Sequence, residues 1–127
     1  MNPEFVDLVR ELCAASARFM VVGAYAVSFH SRPRATGDLD LWVEATPENA
    51  DRVFRALAAF GAPLLDLTPA DLATPDVVFQ IGVAPRRIDI LTSLTGVSFA
   101  EAWPGRATGS IGDVECPFIG RAALIRN

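Results

Sequence analysis

Val21 to Val43 reads V-V-G-A-Y-A-V-S-F-H-S-R-P-R-A-T-G-D-L-D-L-W-V, and the reading of this stretch decides the fold. A short apolar run turns at Gly23, continues through small and apolar residues, and crosses an arginine-rich loop. It ends in a strand-like segment with Asp38 and Asp40 one residue apart. Side chains alternate faces along a strand, so the two carboxylates point one way, and Leu39, Leu41 and Val43 point the other, toward a core. Like charges on one face repel, and hard oxygen donors in this pattern suit a divalent cation. The plainer alternative is a pair of strand-start aspartates on a solvated face.

Working outward toward the N-terminus, Asn2-Pro3-Glu4 has the cap-then-proline start of a helix, and Phe5, Leu8, Val9 and Leu12 recur at helical spacing. The spacing predicts a helix from Pro3 to Ala17, a buried strand over Phe19 to Val22, and a second helix over Ala24 to Ser31. Ser31 to Gly37 is a loop, broken by Pro33 and Gly37. Asp38 to Ala45 is the next strand. Thr46-Pro47-Glu48 repeats the helix start, Ala50, Val53, Phe54, Leu57 and Phe60 form its apolar stripe, and Gly61 closes it. Pro63 to Thr74 reads as a loop with a helical turn over Pro69 to Ala73. Val77 to Val83 and Arg87 to Leu94 read as antiparallel strands joined at Ala84-Pro85-Arg86. Ser98 to Trp103 is a short helix, Ala107 to Ile111 and Val114 to Phe118 form a hairpin around Gly112-Asp113, and Gly120 to Asn127 begins another helical pattern.

Two further features bear on chemistry. Asp89 lies within Arg87-Ile88-Asp89-Ile90-Leu91, and a carboxylate in a branched apolar strand is costly unless paired or coordinated. If its strand lies beside Asp38-Leu39-Asp40, three carboxylates converge, with room for two magnesium ions bridged by carboxylate and phosphate oxygens. Such a pair activates an attacking hydroxyl and stabilises a leaving pyrophosphate. The plainer alternative for Asp89 is an ion pair with Arg86 or Arg87. Gly23, between a strand and a helix, leaves free backbone N–H groups at the positive end of a helix dipole, which suits the phosphates of a nucleotide.

Composition narrows the function classes. At 127 residues and 51% hydrophobic, the chain has the material for one domain, residues 1–127, with a substantial core. A net charge of −4 argues against non-specific coating of nucleic acid. The arginines are nonetheless bunched, Arg32 and Arg34 ahead of the aspartate pair and Arg86 and Arg87 ahead of Asp89, either a cationic rim suited to a metal–polyphosphate or charges that solubilise the strands they flank. Arg34 and Thr36 either contact phosphate or shape their loop. No apolar run approaches the roughly 20 residues that span a bilayer, and no signal-peptide pattern opens the chain, so no membrane partner and a cytoplasmic address are expected. Cys13 and Cys116 form no C-x-x-C pattern and are read as two buried thiols. His30, the sole histidine, is read as structural; Trp42, Trp103 and Tyr25 are read as packing residues.

The order h-G-small, then D-h-D, then h-D-h, with the context G-A-Y-A-V-S-F-H-S-R-P-R-A-T-G-D-L-D-L-W-V, resembles the nucleotidyltransferase superfamily that includes DNA polymerase β. It is similar to small prokaryotic members, some of which occur in toxin–antitoxin and phage-defence pairs. The resemblance runs from about Phe5 to Leu94. It implies an α+β fold, a mixed β-sheet with helices packed mainly on one face. It implies that Asp38 and Asp40 hold both metals (Mg2+ or Mn2+), that Asp89 holds the catalytic metal and helps deprotonate the acceptor, and that the backbone of Gly23 and Ala24 approaches the triphosphate. The expected activity is metal-dependent transfer of an NMP from an NTP to a hydroxyl of a protein, an RNA end or a small molecule.

Two departures stand out. Gly23-Ala24 replaces the family's usual Gly-Gly or Gly-Ser, removing a serine hydroxyl from the phosphate site. The family's basic helical tail is absent after Leu124-Ile125-Arg126-Asn127, so the last helix reads as cut short. Both features favour the alternative of an inactive or weakly active binding module paired with a cognate toxin or antitoxin chain. A third reading, a modifier similar to aminoglycoside nucleotidyltransferases, draws on the acidic charge. The apolar content is compatible with a homodimer.

Overall fold

The side chain of Asn2 accepts the N–H of Glu4 at 2.9 Å and Pro3 opens the first helix, α1 (Pro3–Ala14), whose Phe5, Leu8, Val9 and Leu12 are buried along one face. The structure is a computed structural model that describes residues 1–31 and 37–127. The helix stops three residues earlier than its sequence predicts. Ser16 takes a left-handed backbone (φ 57°), and the N–H of Ala17 folds back to the carbonyl of Leu12. That reversal feeds strand β1 (Phe19–Val22), buried throughout, which passes without a gap into helix α2 (Gly23–His30).

Strand β2 (Leu39–Val43) leads to helix α3 (Pro47–Phe60), which starts and ends where its local signals place it. Thr46 Oγ1 accepts the N–H of Asn49, and Gly61, at φ 92°, returns the chain. A helical turn α4 (Pro69–Leu72), strands β3 (Val78–Ile81) and β4 (Ile88–Leu91), helix α5 (Phe99–Ala102) and a 3-10 turn (Trp103–Gly105) follow. The chain then forms the β5 (Ala107–Ile111) and β6 (Val114–Phe118) hairpin, and helix α6 (Arg121–Arg126). No described helix is long and apolar enough to cross a membrane.

The strands form one six-stranded mixed sheet in the order β3-β4-β2-β1-β6-β5. The pairs β1–β2, β3–β4 and β5–β6 are antiparallel, whereas β2–β4 and β1–β6 are parallel. The α+β class and the mixed sheet agree with the sequence reading. Helices α1 and α3 pack on one another, α1 also on β5 and β6, and α3 on β2. Leu39, Leu41 and Val43 are fully buried, as the alternation requires. On the opposite face of β2, Trp42 is covered by Phe99 (ring centroids 5.1 Å apart), which stacks on Trp103 at 5.4 Å. The guanidinium of Arg106 lies 3.9 Å from the Trp103 ring centroid.

Buried Asn49 fastens three segments together. Its side-chain oxygen accepts the Arg18 N–H at 2.7 Å, and its Nδ2 donates to the carbonyls of Arg18 and Glu44 at 2.9 Å each. The reading of two buried thiols is corrected at one position: Cys116 is buried, but Cys13 is exposed. Cys13 follows Leu12 in α1 and falls off the Phe5, Leu8, Val9, Leu12 stripe, so it turns outward.

Candidate active site

The parallel pairing of β2 with β4 is in a register that sets Asp40 directly beside Asp89, with Leu39 opposite Ile88 and Leu41 opposite Ile90. Partnered residues share a face, so the two carboxylates stand side by side opposite the buried leucine–isoleucine layer. Asp38, two residues before Asp40, precedes the strand, and its Oδ1 accepts the backbone N–H of Arg87 at 3.0 Å. On the other side of β2, Val22 pairs with Asp40, which brings the β1–α2 turn at Gly23 against the same carboxylate. Asp38, Asp40, Asp89 and Gly23 therefore meet at one corner of the sheet.

Asp89 is only 9% exposed, and the cation beside it is Arg87. Arg87 Nε donates to Asp89 Oδ1 at 2.8 Å, and Nη2 lies 3.4 Å from Asp89 Oδ2 and 3.3 Å from Asp38 Oδ2. The ion pair considered as the plainer role for Asp89 is thus present, but it also takes in Asp38. The carboxyl of Asp40 is pushed up to about 6, chiefly by burial, then by the charge of Asp89, by a hydrogen bond to Asp89 that only protonated Asp40 can donate, and by the charge of Asp38; Arg87 opposes this weakly. Among the described residues, three carboxylates here face one guanidinium, an excess of negative charge.

Gly23 fits this corner for two reasons. Its backbone is left-handed (φ 67°), and a Cβ at this position would overlap Asp40 Oδ2. The helix it starts has no side-chain cap, so its first-turn N–H groups lack intrahelical partners, and Ala24 is exposed beside them. Arg34 and Thr36, the other candidates for phosphate contact, lie outside the described residues, as does most of the arginine-rich loop.

The donor set suits a hard divalent cation: carboxylate oxygens, half-buried, in mutual repulsion, with a backbone approach that a side chain would close. Among the described residues, no three acidic, histidine or cysteine side chains are arranged as a ready-made metal cage. Arg87 holds both oxygens of Asp89 and one of Asp38 through its guanidinium, and the other Asp38 oxygen through its backbone N–H.

The inward position of Arg87 is a feature that the rim reading missed. Arg87 is two residues before Asp89, so strand alternation alone puts both on one face. Gln80 was also missed: β3 pairs it with Asp89, and it is exposed on the carboxylate face. No motif marks it, since only the register brings it there. His30 Nε2 lies 2.7 Å from the Ile119 carbonyl, a structural contact, and Tyr25 packs edge-on against Phe5. Trp42 and Trp103 belong to the aromatic stack.

No protein-family profile matches the chain, and no curated protein matches it. Among solved structures it is similar to a putative nucleotidyltransferase from Thermotoga maritima, with a TM-score of 0.60 and 11% identity, covering 98% of this chain and 83% of that one. At that identity the likeness establishes a nucleotidyltransferase-like fold.

Proposed function

We propose that this chain is a metal-dependent nucleotidyltransferase that moves an NMP from an NTP to a hydroxyl of a protein, an RNA end or a small molecule. The observation that carries the reading is the pairing of Asp40 with Asp89 across two parallel strands, with Asp38 and the Gly23 turn at the same corner. The fold likeness to a nucleotidyltransferase is consistent with it. Asp38, Asp40 and Asp89 would hold Mg2+ or Mn2+, which when bound neutralises phosphate charge and lowers the pKa of a coordinated hydroxyl. The chain's own part is to orient and to screen. The uncapped N–H groups of α2 receive non-bridging phosphate oxygens through backbone alone, without the serine hydroxyl that Ala24 lacks. In this reading Asp89, buried beside Asp40, accepts the proton of the acceptor hydroxyl. A cytoplasmic address, with an NTP as the first partner, belongs to the same reading.

The test is incubation with labelled NTPs, Mg2+, and either total RNA or cell extract. Label should move to an acceptor with wild-type protein and not with Asp38→Ala or Asp40→Ala, both retaining the native circular dichroism. Equal transfer by those variants removes Asp38 and Asp40 from the chemistry and overturns the metal-site assignment.

One observation favours a second reading, a binding module without turnover that pairs with a toxin or antitoxin chain. Arg87 already satisfies Asp38 and Asp89. Calorimetry with Mg2+ and each NTP separates the two, because only the enzyme requires nucleotide heat.

A further inference from the structure

Resting on that reading, we propose that Arg87 is a resident counter-cation that competes directly with the divalent metal for Asp38 and Asp89. The site then stays closed to free metal until the guanidinium leaves. Arg87 engages all four carboxylate oxygens of the two residues. Its backbone N–H and Nη2 take the two oxygens of Asp38, at 3.0 and 3.3 Å, and its Nε and Nη2 take the two of Asp89, at 2.8 and 3.4 Å. Among the three carboxylates only Asp40 lacks a bond to Arg87. Among the described residues, a cation arriving at this corner therefore meets one carboxylate not bonded to Arg87 rather than three.

The arrangement is built to release the side chain and keep the backbone. The Arg87 carbonyl accepts the N–H of Leu39 at 3.0 Å, and its N–H is held by Asp38, so the main chain stays fixed at the start of β4. The side chain is 33% exposed, against 12% for that of Asp89, so the guanidinium has a route to solvent that its partner lacks. A planar fork pairs with phosphate as readily as with carboxylate. An arriving triphosphate would thus give Arg87 a new partner as it gives up the old ones, linking metal entry to nucleotide arrival.

The experiment is Mn2+ titration of the full chain without nucleotide, followed by the paramagnetic resonance of free Mn2+. Arg87→Ala should bind Mn2+ about tenfold or more tighter than wild type, the effect of deleting a competitor held by charge-assisted hydrogen bonds. Millimolar guanidinium added to Arg87→Ala should refill the gap and weaken Mn2+ binding again, which a purely structural arginine would not do. Arg87→Lys, a point charge that cannot fork both carboxylates, should fall between the two and serves if the alanine variant fails to fold. Equal or weaker Mn2+ binding in both variants overturns the proposal. If Asp40→Asn weakens Mn2+ binding while the Arg87 variants match wild type, the metal site survives and only the role of Arg87 falls. If neither wild type nor the Arg87 variants bind Mn2+, both the site and this proposal fall.

Discussion

Replacing Asp40 by asparagine should stabilise the metal-free protein at neutral pH, although it removes a residue placed in the site. The Asp40 carboxyl is raised from 3.8 to about 6, chiefly by burial. A group whose folded pKa lies above its unfolded value contributes stability below the unfolded pKa and loses it as pH rises to the folded one. The two-unit rise corresponds to about 3 kcal/mol for a fully enclosed group. Asp40 is only partly buried, and solvent screening reduces this to about 1 kcal/mol. The amide introduced by Asp40→Asn has no charge to desolvate, so the variant should exceed wild type by about 1 kcal/mol at pH 7.5, or about 3–5 °C in Tm for a chain of this size. The advantage should shrink as pH falls from about 6 and vanish near 3.8. Differential scanning calorimetry in EDTA between about pH 4 and 8, on both proteins, reads this directly. A variant less stable than wild type at neutral pH, or a gap that stays the same size into the acid range, would refute the account of a strained carboxylate cluster.

Gly23→Ala should lose about 1–3 kcal/mol, because the new Cβ meets Asp40 Oδ2 and the backbone stays at positive φ; an unchanged urea midpoint contradicts this. Asn49→Ala strands the Arg18 N–H and the carbonyls of Arg18 and Glu44 in a site only 2% exposed, and should cost about 2–4 kcal/mol by chemical denaturation. A loss below about 0.5 kcal/mol would mean that water replaces the amide without penalty.

What could be read in advance follows the range of the signals. Thr46, Pro47 and Gly61 act on their neighbours alone, so both ends of α3 were legible. The end of α1 was not, because Ser16 adopts a left-handed turn for which its side chain gives no strong cue. Alternation placed Asp38 and Asp40 on one face, yet nothing local required β4 to lie beside β2 with Asp89 opposite Asp40; that needed the sheet order. Arg87 and Gln80 mark the same boundary. The first was reachable by counting two residues from Asp89. The second required knowing which strand β3 would pair with.

The parallel pairing of β2 and β4 also governs when the site can exist. Asp38 and Arg87 are separated by 49 positions, and α3, α4 and β3 are all threaded between them. A growing polypeptide on the ribosome carries Asp38 and Asp40 long before Asp89 emerges, and until β4 has been translated and docked the corner is half built. Closure of the three-carboxylate corner is thereby tied to completion of the crossover, so a prematurely released fragment ending in α3 would lack it.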